Sequence, residues 1–178
     1  MFPRRARALG GVLPALDQPA PGFDLAAVVP DNRGQPVVAQ RNLSDFAGRW
    51  LVLYFYPRDF TGGCTLEARG FQRDLGSFDR LGAEVAGISA DDGDSHQSFC
   101  GSEGLAFPLL SDTDGAVSRR YGSWMAPYSL RHTFLIDPQG MLRQIWTAVR
   151  PAGHSAEVLA ALEQMLASAT PAAATAQR

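Results

Sequence analysis

Apolar residues along the chain fall into two kinds of segment, short continuous runs and longer stretches with helical spacing. The runs are rich in branched and aromatic residues and end at turn-forming residues, which is typical of buried strands. They predict strands at residues 23–29, 36–39, 51–56, 84–90, 107–110, 132–136 and 141–146. Apolar residues three and four positions apart predict helices at residues 64–82, 95–103, 115–121 and 155–167.

The central predicted strand leads directly into the longest predicted helix. This strand, residues 51–56, stops at Pro57, and after a polar bend the helical pattern begins at Cys64. The first two strands flank a turn-rich cluster at residues 30–34 and predict a hairpin at a sheet edge. The whole order favours an α/β fold, with a central mixed β-sheet flanked by helices and an N-terminal β-hairpin.

The two ends of the chain lack this pattern. Residues 1–18 are rich in arginine and proline without sustained periodicity, so we expect a flexible leader there. Residues 169–178 lack apolar bulk and predict a disordered tail. A single domain is therefore predicted for residues 19–168, and a chain of 178 residues that is 46% hydrophobic is long enough to bury a substantial core.

Charge and composition argue against several classes of function. A net charge of -2 provides no basic field for nucleic acid, and no apolar segment approaches the roughly 18 residues that would span a membrane. All 16 positively charged side chains are arginine. The absence of lysine excludes Schiff-base chemistry and a Walker-type phosphate loop.

The use of the two cysteines depends on the compartment of the protein. They form neither a CxxC motif nor a zinc ligand set, and the three histidines, which show no ligand spacing, are interpreted as structural. In a secreted chain such a pair would form a structural bridge, whereas in the cytosol it is more often catalytic or buried. The arginine-rich start precedes only a short, broken apolar patch at residues 9–16, which is a poor export signal. We therefore expect a cytoplasmic protein.

The position of Cys64 at a helix start favours its thiolate, because the free amides and the dipole of a helix N-terminus attract an anion. An ordinary thiol has a pKa of about 8.5. Lowering a thiol pKa to about 6 takes roughly 3.4 kcal/mol, whereas a helix end supplies only about 0.3 to 1 kcal/mol. If Cys64 is a nucleophile, we therefore expect an arginine from elsewhere in the chain beside its sulfur.

The residues around Cys64 resemble the signature of a known family. Pro57, Thr61 and Cys64 match the PxxxTxxC motif of peroxiredoxins, and Cys64 to Glu67 match the CTxE form of the bacterioferritin-comigratory or Q subgroup. The segment that starts at Arg131 resembles the family's RxTFLID sequence. The similarity extends over residues 17–166 and implies a thioredoxin-like fold, which the order of elements also suits.

The resemblance implies a role for each matching residue. Cys64 is the expected peroxidatic cysteine, and Thr61 orients thiolate and peroxide. Pro57 shields the site. Arg131 is the expected arginine beside the sulfur, and Glu67 is its hydrogen-bond partner. Thr61 could equally be an ordinary cap, and Arg131 an exposed strand residue.

The role of Cys100 has two interpretations. Many Q-type members carry a resolving cysteine at the position of Arg69, whereas others place it on a later helix, as Cys100 lies here. The resemblance therefore implies that Cys100 resolves oxidised Cys64. A disulfide needs Cα atoms within about 7 Å, so at least one of the two helices would have to unwind. The alternative is a buried structural thiol in an enzyme that an external thiol resolves.

The expected function is a thiol-dependent peroxidase that acts on hydrogen peroxide or organic hydroperoxides. Thioredoxin or a similar dithiol is the expected reductant, with no metal, flavin or haem cofactor and with a monomer favoured over a dimer. Two alternatives are a thiol-disulfide oxidoreductase on the same fold, against which the missing CxxC counts, and a non-catalytic binding module with inert cysteines.

Overall fold

The computed structural model describes residues 5–169, and its centre is a mixed sheet. From the N-terminus the elements are β1 Arg7–Ala8, β2 Gly11–Val12, β3 Asp24–Pro30, β4 Pro36–Asn42, a 3₁₀ helix Leu43–Phe46, β5 Trp50–Phe55, α1 Gly62–Arg80, β6 Ala83–Ser89, α2 Gly93–Glu103, β7 Leu109–Ser111, α3 Ala116–Arg120, β8 Trp124–Met125, β9 Tyr128–Ser129, β10 Thr133–Ile136, β11 Leu142–Trp146 and α4 His154–Ala169.

The main sheet of the described residues has seven strands in the order β11-β10-β5-β6-β7-β3-β4. Strands β5, β6 and β7 are parallel and are joined by crossovers through α1 and α2, whereas the outer strands pair antiparallel. All seven predicted strands belong to this sheet, and their ends and those of the four predicted helices shift by no more than three residues. The predicted α/β fold with a mixed sheet and an N-terminal hairpin at its edge, β3–β4, is confirmed.

Strand β5 is buried on both faces, and its alternating side chains belong to two cores. Val52 and Tyr54 pack into a cluster that includes side chains of α1, α2 and α4. Leu51 and Leu53 belong to the other cluster, which includes residues of the 3₁₀ helix and α3. Because both faces are covered, the strand is a fixed support for the loop and helix that follow it.

The N-terminal segment differs from the expected flexible leader. Strands β1 and β2 pair antiparallel, the Leu13 amide donates to the Ala6 carbonyl at 2.9 Å, and the Leu13 side chain is buried in the core cluster that contains Leu51. Residues 7–18 are therefore packed against the domain. Their strands are too short for a periodic pattern, which is also why β8 and β9 were not predicted. Residues 1–4, and residues 170–178 of the predicted tail, lie outside the described residues.

Within residues 5–169 no helix combines the length and the apolar character that crossing a membrane requires. The longest, α1, is amphipathic and packs on the sheet.

We predict that Leu13→Ala lowers the free energy of unfolding by about 2 to 3 kcal/mol, because it leaves a cavity in the core. Leu9→Ala is the matched control from the same segment: Leu9 is 78% exposed, against 6% for Leu13, and its truncation should change stability by less than about 0.5 kcal/mol. Urea unfolding of both variants measures the difference. Equal small effects would show that the segment does not contribute to the core.

Candidate active site

Cys64 lies in the first turn of α1, which follows β5 after a loop of residues 56–61. Its side chain is buried and is a free thiol. The helix begins two residues earlier than predicted, at Gly62, so Cys64 follows two glycines inside the first turn. The sulfur is therefore close to the helix end, where unpaired amides and the dipole favour negative charge.

Arg131 reaches this sulfur because of the register between β5 and β10. The strands are antiparallel with Thr133 opposite Tyr54, so the residues that precede Thr133 lie beside the end of β5. The Arg131 Nη2 atom donates to Cys64 Sγ at 3.3 Å, and its Nη1 atom donates to Glu67 Oε2 at 3.0 Å. The structure thus brings together Cys64, Glu67 and Arg131, which are 67 positions apart at most.

Burial shapes the protonation of this group. Glu67 is buried on α1, and burial raises its pKa to about 7 although Arg131 acts in the opposite direction. The other oxygen, Oε1, is buried without a hydrogen-bond partner. Burial disfavours the charged form of Arg131, but Glu67 and the sulfur favour it, and the net pKa of Arg131 is raised. The guanidinium therefore stays positive beside the sulfur.

Gly63 allows the guanidinium to approach the helix. A Cβ atom at this position would lie 3.2 Å from Arg131 Nη2 and 3.3 Å from Pro151 Cγ. The loop that carries Pro151 is joined to Arg131 by a bond of 2.9 Å from the Val149 amide to the Arg131 carbonyl. A Cβ at Gly62 would meet nothing within 4 Å, so the steric requirement is specific to Gly63.

Thr61 and Pro57 lie in the loop that joins β5 to α1. Thr61 occupies the N-cap position of α1, but its side chain forms no capping bond, and its exposed hydroxyl donates to the Arg58 carbonyl at 3.0 Å. Pro57 is half-buried directly after the strand. Thr61 and Phe60 line a surface cavity of about 590 Å³ at this loop.

Cys100 lies in the last turn of α2 and is also buried and free. It belongs to the same core cluster as Cys64 but lies on a different helix. Burial, with a smaller contribution from Asp59, raises the pKa of Cys100 to about 12. In this conformation the second thiol is therefore neutral and covered.

The sequence did not reveal a buried polar network beside the loop. Asp59 accepts from the Tyr56 hydroxyl at 2.6 Å and from the Ser95 hydroxyl at 2.8 Å, and its Oδ2 atom lies 2.8 Å from His96 Nδ1. The Asp59 amide donates to Asp91. Asp59 and Asp91 each come shortly after a buried strand, a position that could have drawn attention, but nothing in their spacing links them to His96.

Asp59, Asp91 and His96 are also the described residues whose ligand atoms lie close enough, within 4.8 Å of one another, to hold a metal ion. These ligand atoms already form hydrogen bonds within the protein. Asp59 Oδ2 and His96 Nδ1 face each other, and Asp91 Oδ2 accepts from the Asp59 amide and from Ser89. The three side chains therefore form a hydrogen-bond network.

Comparisons with known proteins agree with this arrangement. The model of the AhpC/TSA family matches residues 16–145. The chain is 41% identical over 157 residues to Peroxiredoxin Bcp of Xanthomonas campestris, a match that covers 83% of this chain and 94% of that protein. A solved structure of Peroxiredoxin Q from Xanthomonas campestris aligns with a TM-score of 0.68 at 42% identity, over 71% of this chain and 85% of that one.

A reduced 2-Cys peroxiredoxin of Plasmodium vivax aligns with a TM-score of 0.77 at 28% identity, over 86% of this chain and 97% of that one. These neighbours are peroxiredoxins with a thioredoxin-like fold, so the predicted fold is confirmed. Because a family model matches most of the chain and the curated relative aligns over nearly its full length, this chain belongs to the AhpC/TSA family, with the Bcp or Q-type peroxiredoxins as its relatives.

Proposed function

We propose that this protein is a thiol-dependent peroxidase in which Cys64 reduces a hydroperoxide. The observation that carries the proposal is the Arg131 guanidinium 3.3 Å from the Cys64 sulfur at the start of α1. The Cys64 thiolate attacks the terminal oxygen of the peroxide, and the O–O bond breaks. The remaining oxygen takes a proton and leaves as water or an alcohol. The sulfur loses two electrons and becomes a sulfenic acid.

Four residues assist this step. Arg131 stabilises the thiolate and the negative charge that develops on the leaving oxygen. Glu67 holds the guanidinium in place through its bond of 3.0 Å. Thr61 orients the peroxide once its hydroxyl turns from the Arg58 carbonyl to the bound substrate. Pro57 shields the sulfur from water.

Cys100 resolves the oxidised enzyme. Its thiol condenses with the Cys64 sulfenic acid, a disulfide forms and water is released. Two solved structures from Xanthomonas campestris, 41% and 38% identical to this chain, are cysteine-to-serine mutants, and the two mutated positions have the same separation as Cys64 and Cys100. This agreement favours the resolving role over a purely structural thiol.

An external dithiol then returns both cysteines to thiols by exchange. A relative from Drosophila melanogaster, 40% identical over 151 residues, is named a thioredoxin-dependent peroxide reductase, which supports thioredoxin or a similar protein as the reductant. A structure of the Xanthomonas campestris bacterioferritin comigratory protein is described in terms of alkyl peroxide reduction. Organic hydroperoxides are therefore proposed as substrates together with hydrogen peroxide.

The protein is further proposed to act as a cytoplasmic monomer without nucleic acid or membrane partners. The net charge of -2 supports the absence of a nucleic-acid partner. Named relatives include chloroplastic and mitochondrial proteins, so a fractionation experiment on the source cells is the direct test of location.

Intact-mass analysis after one equivalent of peroxide tests the mechanism. The wild type should lose two hydrogen atoms as the disulfide forms. Cys100→Ser should gain oxygen on its remaining thiol, and Cys64→Ser should stay unchanged. Oxidation of Cys64→Ser as fast as the wild type, or an unreactive wild type with reductase activity toward disulfides, would contradict the proposal.

Gly63→Ala should slow the oxidation of Cys64 by roughly three- to tenfold, about 0.7 to 1.4 kcal/mol, because the new methyl group displaces the guanidinium by a few tenths of an ångström. Gly62→Ala adds the same methyl group to the same helical turn in open space and should leave the rate unchanged. Stopped-flow measurement of the second-order rate constant with hydrogen peroxide compares the two variants. Equal rates would show that the approach of Arg131 to this backbone is unimportant.

Glu67 should make stability fall as pH rises. The pKa of Glu67 is raised from 4.5 to about 7 by burial, so its stabilising protonated form is fully present below pH 4.5 and is lost as pH rises through about 7. Relative to Glu67→Gln, the wild type should lose on the order of 3 kcal/mol of unfolding free energy over this range. Urea unfolding of both proteins at pH 4.5, 6 and 8 measures the difference, and parallel pH profiles would contradict it.

A further inference from the structure

The two ends of α2 are attached to the protein in different ways, although this helix carries the thiol that must reach Cys64. His96 lies in its first half and is fully buried. Cys100 and Glu103 lie in its last turn, immediately before Gly104, whose positive φ of 62° ends the helix. The contacts at each end therefore determine which part of α2 can unwind and move away from the domain.

The first half of α2 is fixed to the loop that precedes Cys64. Asp59 of this loop receives hydrogen bonds from Tyr56, from Ser95 and from His96. His96 Nε2 lies 3.0 Å from the carbonyl oxygen of Leu110, which can only accept, so this nitrogen carries a proton. Nδ1 faces Asp59, so the pair holds a second proton between nitrogen and carboxylate.

His96 is thus bonded on both sides of its ring, to Asp59 and to the Leu110 carbonyl. Because the pair is buried, separating it would leave polar atoms of both side chains without hydrogen-bond partners away from water. One turn of helix joins this pair to Cys100. The pair therefore ties the first half of α2 both to β7, through Leu110, and to the loop that holds Pro57 and Thr61.

The last turn of α2 carries the buried Cys100 and is held in addition by contacts close to the surface. Arg69 of α1 forms two bonds to Glu103, at 2.6 and 3.2 Å, and the Arg69 side chain is 66% exposed. Beyond the helix, the Gln72 side chain accepts from the amide of Ala106 at 2.7 Å. Water can replace each of these bonds as it breaks, so this end opens at lower cost than the buried pair.

We propose that His96 is a positioning residue for the resolving step: with Asp59 it keeps the first half of α2 fixed to the loop before Cys64, while the turn held by Arg69 and Glu103 opens to deliver Cys100. This inference rests on the proposed resolving role of Cys100. Beyond that role, the inference states that the C-terminal end of α2 moves, and that the hydrogen-bonded pair of His96 and Asp59 keeps the other end fixed.

Arg69→Ala should accelerate disulfide formation after oxidation by about two- to fivefold, because the closed turn loses its ion pair. The oxidation of Cys64 itself should be unchanged. Arg73→Ala is the matched control: Arg73 lies on the same helix and is 65% exposed, but its carboxylate partner is the adjacent Asp74. Rapid quenching followed by intact-mass analysis separates the two steps.

Glu103→Gln should accelerate disulfide formation to the same extent, and the double variant with Arg69→Ala should be no faster than either single variant. Independent, additive effects would show that the pair does not act as a unit. A wild type that forms the disulfide while Arg69→Ala and Arg73→Ala react equally fast would overturn the inference and leave the proposed function intact. A wild type that forms no disulfide would instead contradict the resolving role itself.

Hydrogen exchange of the wild type identifies the moving end without a substitution in the buried pair. In the disulfide form, amides of residues 100–104 should exchange faster than in the reduced form, while those of residues 96–98 keep their protection. Joint loss of protection from residue 93 to residue 104 would show that the helix opens as a whole, and that His96 and Asp59 do not hold a fixed end.

Discussion

The arrangement of the site depends on one guanidinium held between a sulfur and a carboxylate. Arg131 donates to Cys64 through one nitrogen and to Glu67 through another, so its orientation is set by two partners on the same helix. Both partners are buried, and their interactions with the cation are therefore much stronger than they would be in water. The sheet makes this possible, because the pairing of β10 with β5 fixes the backbone of Arg131 beside the end of the central strand.

The balance of charge explains why three ionisable groups occur together. A helix end alone supplies only about 0.3 to 1 kcal/mol toward ionising a thiol, which is too little for a reactive cysteine. The Arg131 guanidinium adds a full positive charge 3.3 Å from the sulfur. A buried arginine with the thiolate as its only partner would be held less rigidly, and Glu67 provides a second fixed contact. Burial raises the pKa of Glu67 to about 7, so near neutral pH this contact is made by a mixture of the neutral and the charged carboxyl group.

Periodicity and motif spacing predicted much of this structure. Strand 51–56 and the helix after it carry strong patterns, and the match around Cys64, together with the segment at Arg131, predicted contacts between residues far apart in sequence. The hydrogen-bond partner of the Thr61 hydroxyl was not predictable in this way. The group can rotate toward several acceptors, and here it donates to the Arg58 carbonyl.

Other features gave no signal in the sequence. Two-residue strands such as β1 and β2 are stabilised by the domain they pack against and show no period of their own. Asp59 and His96 are separated by 37 positions, and only the fold shows that they meet. The flexible leader was expected because Leu13, whose side chain is buried in the core, lies among arginine and proline residues that carry no pattern.

Because Cys100 is covered and neutral, the two cysteines react in a fixed order in the proposed mechanism. A thiol with a pKa of about 12 is almost entirely un-ionised at physiological pH and reacts poorly with oxidants and electrophiles. Both sulfurs are buried, but Arg131 lies beside Cys64, and in the proposed mechanism Cys100 reacts only after the helix around it has opened. Under the proposed resolving role, the resting protein keeps its internal reductant unreactive until the first sulfur has been oxidised.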